Sequence, residues 1–315
     1  MIIVTGGAGF IGSNLVRALN RRLLRDIVVV DDLSDGHKFA NLLGCEIADY
    51  WDQSLFAERL RTGLVERPEA IFHQGACAVT TEWDGRYMMD TNYRYSTELL
   101  DFCLSERVPL IYASSAAVYG TSTVFKENDP SAERPLNVYG YSKLLLDQYV
   151  RRRLADARSQ VVGLRYFNVY GPGEAHKGPM ASVAYHLNRQ VAEKGEARLF
   201  EGSDGYEAGE QRRDFVHVDD VVRVNLWFYE HRQISGVFNV GTGQSASFND
   251  IAHAIIDWHG AGRIRYIPFP EELQSRYQSF TQADISALRS VGYDAPFLDV
   301  RSGIQAYLDV LDQHS

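Results

Sequence analysis

Three glycines within the first dozen residues constrain the architecture of this chain more than any other feature. Met1-Ile-Ile-Val-Thr5 reads as a short buried strand, and Gly6-Gly-Ala-Gly9-Phe10-Ile11-Gly12 turns it into a helix starting near Ile11. Glycines at these positions permit a tight turn, backbone approach to a pyrophosphate, and close helix–strand packing. The helix start then offers unpaired N–H groups and a partial positive charge to that phosphate. A second strand, Asp26-Ile-Val-Val-Val-Asp31, ends in an acid at the distance expected for a carboxylate on a ribose diol. Packing alone would account for the glycines but not for the acid, and the combination points to a bound dinucleotide.

The first half of the chain repeats this rhythm. Ala70–Gly75, Pro109–Ser115 and Val161–Tyr166 are apolar, strand-like runs, with helix-like segments at about 11–22, 54–63, 86–105 and 139–155. Repeated βα units predict an α/β fold, a Rossmann-type doubly wound parallel sheet with ligands at the strand carboxyl ends. Gly75-Ala76, Ser114-Ser115 and Phe167-Asn168 would line that edge. Past Gly171-Pro-Gly173 the rhythm breaks. A helix-like run from Met180 to Lys194 is followed by strand-like Arg198-Leu-Phe200 and Val237–Val240, helical Phe248–His259 and extended Ile264–Pro270. These shorter elements predict a smaller mixed α/β substrate domain in a discontinuous arrangement. The limits are 1–170 and about 214–260 for dinucleotide binding, and about 171–213 and 261–315 for the substrate.

Composition narrows the partners. The 315 residues suffice for a large core. The formal charge of −9 does not indicate a nucleic-acid surface. Arg151–Arg153 is the longest basic run and falls at a helix end, where a solvated face suits it. Cys45, Cys77 and Cys103 are widely spaced, so neither a disulfide framework nor a metal site follows. The strand at the start leaves no leader-like segment, and no apolar run approaches ~18 residues. The expectation is a cytoplasmic protein without membrane or nucleic-acid partners.

Tyr139-Gly-Tyr-Ser-Lys143 carries chemistry. Positions i and i+4 share a helix face, so a lysine ammonium can favour the tyrosine phenolate. Such a phenolate is a base for oxidising a carbinol. Alone, the spacing is equally a packed tyrosine beside a solvated lysine; the glycine loop, Asp31 and Ser115 upstream favour the catalytic reading.

Together, Thr5-Gly-Gly-Ala-Gly-Phe-Ile-Gly12, Ser115, Tyr139-x-x-x-Lys143 and Arg213-Asp-Phe-Val-His-Val-Asp-Asp220 resemble the extended short-chain dehydrogenase/reductases, which act mostly on nucleotide sugars. The resemblance runs over the whole chain. Gly75-Ala-Cys77, Thr81–Asp84, Tyr87–Asn92, His176-Lys177-Gly178, Met180–Asn188 and Arg276-Tyr277-Gln278 are similar to the epimerases of that family that act on an ADP-heptose.

The resemblance implies a C6 epimerase of ADP-heptose that supplies the lipopolysaccharide inner core. It would work by transient oxidation and re-reduction, as a homo-oligomer, a pentamer in the family. Tyr139 and Lys177 would be paired acid/bases, Ser115 would hydrogen-bond the reacting oxygen, and Lys143 would hold the nicotinamide ribose. Gly6, Gly9, Phe10, Ile11, Gly12, Asp31, Asp32, Lys38, Gln53, Gln74, Gly75, Ala76, Cys77, Ala78, Asn92 and Val169 would meet the cofactor, with Tyr139, Lys143 and Lys177. Asn168, Pro179, His186, Phe200, Glu201, Gly202, Ser203, Arg213 and Tyr277 would meet the substrate. For Arg213, a diphosphate partner competes with an ion pair to Asp214 or Asp219. Family association puts NADP first and NAD a close second. Asp32 and Gln53 stand where the family pattern has Asn and Lys, and both remove contacts to a 2′-phosphate. Pro179 replaces a Ser, and extra residues lie around Asp204–Gln211. A nucleotide-sugar dehydratase would need Asp-Glu where this chain has Ala116-Ala117. A UDP-hexose 4-epimerase is the alternative, and a dinucleotide-sensing regulator a remote one.

Overall fold

Alternating strands and helices assemble into a seven-stranded parallel sheet, in a computed structural model describing residues 1–270 and 278–313. Its first part comprises β1 Ile2–Thr5, α1 Phe10–Arg21, β2 Ile27–Asp31, β3 Asp49–Asp52, α2 Gln53–Arg61 and β4 Ala70–His73. Then follow α3 Gly85–Met88, α4 Tyr95–Ser105, β5 Leu110–Ser115, α5 Val138–Arg153, β6 Val161–Tyr166 and β7 Asn168–Tyr170. The remainder begins with α6 Val183–Lys194, β8 Glu196–Phe200, β9 Arg212–Arg213, β10 Phe215–His217, α7 Val218–Glu230 and β11 Gly236–Val240. It closes with β12 Ala246–Ser247, α8 Phe248–His259, β13 Arg263–Ile267, α9 Ser286–Ser290 and α10 Val300–Asp312.

Strand order is β11-β6-β5-β4-β1-β2-β3. The order of strand addition reverses between β1 and β4, and that switch point opens a crevice beyond the strand ends. The strands read as continuous apolar runs because both sheet faces are covered. Ile2, Val4 and Val29 face Leu15, Leu19 and α7, while Ile3, Val28 and Ile71 face Phe56, Leu99, Leu100 and Leu146. The edge strand Val237–Val240 joins this sheet against β6 in full register. No helix among the described residues is long and apolar enough to cross a membrane.

Three departures from the sequence reading have physical causes. β3 went unread because Asp-Tyr-Trp-Asp is bounded by residues disfavoured in strands and only half-buried. The segment expected as one helix over 86–105 is wound as a π-helix across Met89–Arg94, a form that often marks functional positions. Arg151–Arg153 is not a uniformly solvated face. Arg152 and Arg153 lie over the Tyr149 ring, but Arg151 turns inward to Glu133, which also pairs with the fully buried Arg165.

The second half of the chain has its own core. Tyr170, Leu187, Val191, Leu199, Ile251, Ile255, Ile304 and Leu308 pack together from α6, β8, α8 and α10. Leu288 and Tyr293 pack instead with the sheet. We propose on these cores that α8 belongs to the second domain, so the boundary falls before 248, and that the segment around α9 belongs to the first.

Candidate active site

The crevice holds two adjoining cavities of about 540 Å³ and 480 Å³, which share Phe10, Ile11, Gln74, Ala76, Ala78 and Lys177 as walls. At the first, the glycine turn is sterically dictated. Gly6 has φ +66°, and a Cβ there would lie 2.6 Å from the Gly75 amide nitrogen; a Cβ on Gly12 would lie 2.1 Å from the Gly6 carbonyl oxygen. α1 begins beyond Gly9 with no side-chain cap and no acid in its first turn. Its N–H groups and positive end are therefore directed at the cavity, as a pyrophosphate requires. Asp31, buried at the end of β2, accepts from the Ala8 and Asp32 amides at 2.8 Å and from the Lys38 ammonium. Asp32, Gln53, Gly75 and Cys77 also line this cavity. These residues fit a nicotinamide dinucleotide.

The loop after β4 is held from below. Thr5 accepts the Gly75 amide at 3.2 Å, and Gln74 accepts the Tyr166 hydroxyl at 3.0 Å. Asn92 does not form part of either cavity wall. It is fully buried on the π-helix, accepting the Cys77 amide at 2.8 Å and donating to the Cys77 carbonyl at 2.9 Å. It therefore fixes a wall rather than being one.

The second cavity gathers Ser115 from β5, Tyr139 and Lys143 from α5, Asn168 and Val169 from β7, and Lys177. Asn137 caps α5 by accepting the Gly140 amide at 2.8 Å, which fixes the first turn where Tyr139 sits. Burial pushes the Tyr139 phenol up, and a hydrogen bond from Ser115 acts against it. Lys143 donates to the Ala113 carbonyl at 2.9 Å, and burial brings it down to about 8 against the raising effect of Asp147.

Lys177 comes from a short 3-10 segment, Ala175–Met180, that includes Gly178 at φ +52°. Its ammonium lies 5.3 Å from the Phe10 ring centre, and burial lowers its proton affinity while Glu174 raises it.

The remaining substrate positions divide. Arg213 is buried, donates to the Arg212 carbonyl at 2.9 Å, and lies 5.8 Å from the centre of Phe248, a cleft wall. Asp214 turns elsewhere, accepting from Thr242, Gly243 and Ala283 amides, and Asp219 lies beside His217. Neither carboxylate pairs with Arg213 in the way the competing reading required. His186 sits on α6 edge-on to Tyr185, outside both cavities. Phe200 meets Phe269 edge-on, while Glu201, Gly202 and Ser203 form the irregular stretch beyond it, which Gln211 braces at the Glu201 carbonyl and Ser203 hydroxyl. Pro179 is exposed. Tyr277 lies outside the described residues.

The cleft also contains residues that sequence reasoning did not assign: Thr80, Phe215, Phe248, Gln278 and Thr281. Gln278 had a signal, as the last residue of the matched Arg-Tyr-Gln segment. It lines the cleft while donating to the Gly120 carbonyl at 2.6 Å.

Comparison with known proteins agrees with this geometry. Residues 2–241 match the NAD dependent epimerase/dehydratase family. The chain is 60% identical to an ADP-L-glycero-D-manno-heptose-6-epimerase of Alkalilimnicola ehrlichii, over 99% of this chain and 97% of that protein. The crystal structure of the Helicobacter pylori ADP-L-glycero-D-manno-heptose-6-epimerase superposes with TM-score 0.85 at 35% identity, covering 99% of this chain and 96% of that one. A Thermus thermophilus UDP-glucose 4-epimerase, solved in complex with NAD, superposes with TM-score 0.80 at 25% identity over 100% and 99% of the two chains.

Proposed function

The chain belongs to the NAD dependent epimerase/dehydratase family, and we propose that within it the chain inverts C6 of ADP-D-glycero-D-manno-heptose to give the L-glycero epimer. The observation that carries this reading is that Tyr139 and Lys177, from separate elements, border one cavity. Full-length similarity to a heptose epimerase supports the choice of sugar. We extend the proposal to a cytoplasmic homo-oligomer, a pentamer by resemblance, that feeds the lipopolysaccharide inner core.

A bound nicotinamide would accept hydride from the carbinol carbon and return it. Every other task falls to side chains. Inversion requires the carbonyl intermediate to present its opposite face, so its oxygen moves between two places. Tyr139 would serve the oxygen in one and Lys177 in the other, each taking or giving one proton. Ser115, within reach of Tyr139, would hydrogen-bond the same oxygen. Lys143, held at the Ala113 carbonyl, would supply a cation at the ribose. Arg213 would clamp the diphosphate, for which its planar fork is suited.

For the cofactor we infer NAD, reversing the order that family association gave. The family is described as NAD dependent, and the Thermus relative carries NAD. Asp31 and Asp32 both face the cavity where a 2′-phosphate would have to sit, and Lys38 is already paired to Asp31.

The test is incubation of the purified protein with each ADP-heptose epimer and with UDP-glucose, followed by chromatography. Either heptose epimer should yield the same mixture, with UDP-glucose unchanged. Interconversion of the UDP-hexose alone would replace the reading with a 4-epimerase, and no conversion at all would leave a dinucleotide-binding regulator. Denaturing the protein and weighing the released dinucleotide should give NAD; NADP would restore the opposite order.

A further inference from the structure

Glu174 is a carboxylate with no part in the steps above, yet it is the hub of the segment that carries Lys177. It is completely buried. One oxygen accepts from the Gly171 amide at 3.3 Å and the Ser182 hydroxyl at 2.7 Å. The other accepts from the Ser182 amide at 2.5 Å. The Tyr307 hydroxyl, from α10, lies close enough for the same group to push its proton affinity up. The Glu174 carbonyl also takes the Lys177 amide at 3.0 Å. One side chain thus ties both ends of the 171–182 loop, with Lys177 midway between them. Ser182 in turn caps α6, accepting the Tyr185 amide at 3.2 Å, so the loop is tied to a helix.

None of these partners is a cation. Both oxygens act as acceptors in these bonds, so an amide side chain, with one oxygen and one NH2 group, could keep only part of the tether. The same carboxylate that makes this tether also bears on Lys177. Tyr139 and Lys143 face the cleft from α5, Asp31 and Asp32 from the end of β2, Lys38 and Asp35 from the turn after it, Cys77 and Tyr87 from the region after β4, and His176 from the loop itself. Tyr307, which lies within the influence of Glu174, shares a hydrophobic cluster with Tyr185. Among them, the Glu174 carboxylate raises the proton affinity of the Lys177 amine, opposing the effect of burial.

We propose that Glu174 is the positioning residue of Lys177: its carboxylate ties Gly171 to Ser182, keeping the amine at the wall shared by both cavities, and its charge keeps a proton available there. This rests on the reading of Lys177 as the second acid/base, and the test separates the two. Trace acetylation of amines in the full-length protein at a series of pH values, read by mass spectrometry, follows Lys177 without using activity. In Glu174→Gln its midpoint should move to lower pH. The limb of the kcat profile that depends on Lys177 should move in the same direction, with KM little changed. Glu174→Asp keeps the charge and should return the midpoint toward the wild-type value. Ser182→Ala removes part of the tether but none of the charge, so kcat should fall with the midpoint unmoved; this variant decides the matter if Glu174→Gln does not fold. An unchanged midpoint in Glu174→Gln, or a shift in Ser182→Ala, would overturn the proposal. A shifted midpoint with an unshifted kcat profile would leave Glu174 in its role and remove the acid/base role of Lys177.

Discussion

Two lysines reach the same cleft from regions built in opposite ways. Lys143 stands on a sixteen-residue helix, fully buried, with its base set by a charge network: Asp147 accepts from Tyr112, Ser114 and Arg165, and Arg165 reaches Glu133. Its distance from Tyr139 follows from helical periodicity alone. Lys177 stands on a six-residue 3-10 segment, and its place follows from one buried side chain and its bonds to residues on either side of the loop. If Tyr139, on the same helix as Lys143, and Lys177 are the acid/base pair proposed above, the contrast teaches that such a pair need not share a means of support. A rigid group can serve one position of the reacting oxygen while a tethered loop serves the other.

The sharpest break of this comparison is kinetic. Tyr139→Phe and Lys177→Met should each lower kcat by about 10²–10⁴-fold with substrate binding largely retained. The double variant should be far less impaired than the product of the two, because either loss alone blocks inversion. If Lys177→Met weakens binding but leaves kcat near wild type, the loop binds substrate and the helix alone does the chemistry.

The same contrast explains what the sequence made legible. β1, β2 and β6 were readable because both faces are buried and the apolar runs are unbroken. The glycine turn and Asp31 were readable because their spacing is local. Asn92 was assigned to the cofactor, but the π-winding that turns it under Cys77 leaves no sequence pattern. Arg151 looked solvated because Glu133, eighteen residues earlier, gives no local sign of pairing with it. Glu174 carries no local signal in the sequence, since its meaning comes from Gly171 and Ser182 in the fold. His186 shared a matched segment with cleft residues, yet its place on α6 turns it out of both cavities.

A smaller effect sharpens the scaffold side. His73, buried beneath the glycine loop between the Thr5 and Ser96 hydroxyls, is brought by burial down to about 3. Its unfolded value is about 6.5, so below that pH the unfolded chain binds the proton that the folded chain refuses. The stability that a neutral His73 provides should be complete above pH ~6.5 and be lost as pH falls toward 3, at up to about 1.4 kcal/mol per pH unit. Denaturant melts of wild type and His73→Gln should therefore converge as pH falls. A constant difference between pH 7 and 4 would mean that His73 does not stay neutral in the fold.

Inversion by oxidation and re-reduction is tested most directly by the fate of the hydrogen at the inverted carbon. ADP-heptose bearing deuterium at C6 is turned over in ordinary water, and the opposite epimer is examined by mass spectrometry. Hydride that leaves and returns to the same carbon keeps the label, so product should retain its deuterium in full. Deuterium washed into water, with solvent hydrogen at C6, would show proton abstraction from carbon and contradict the redox mechanism.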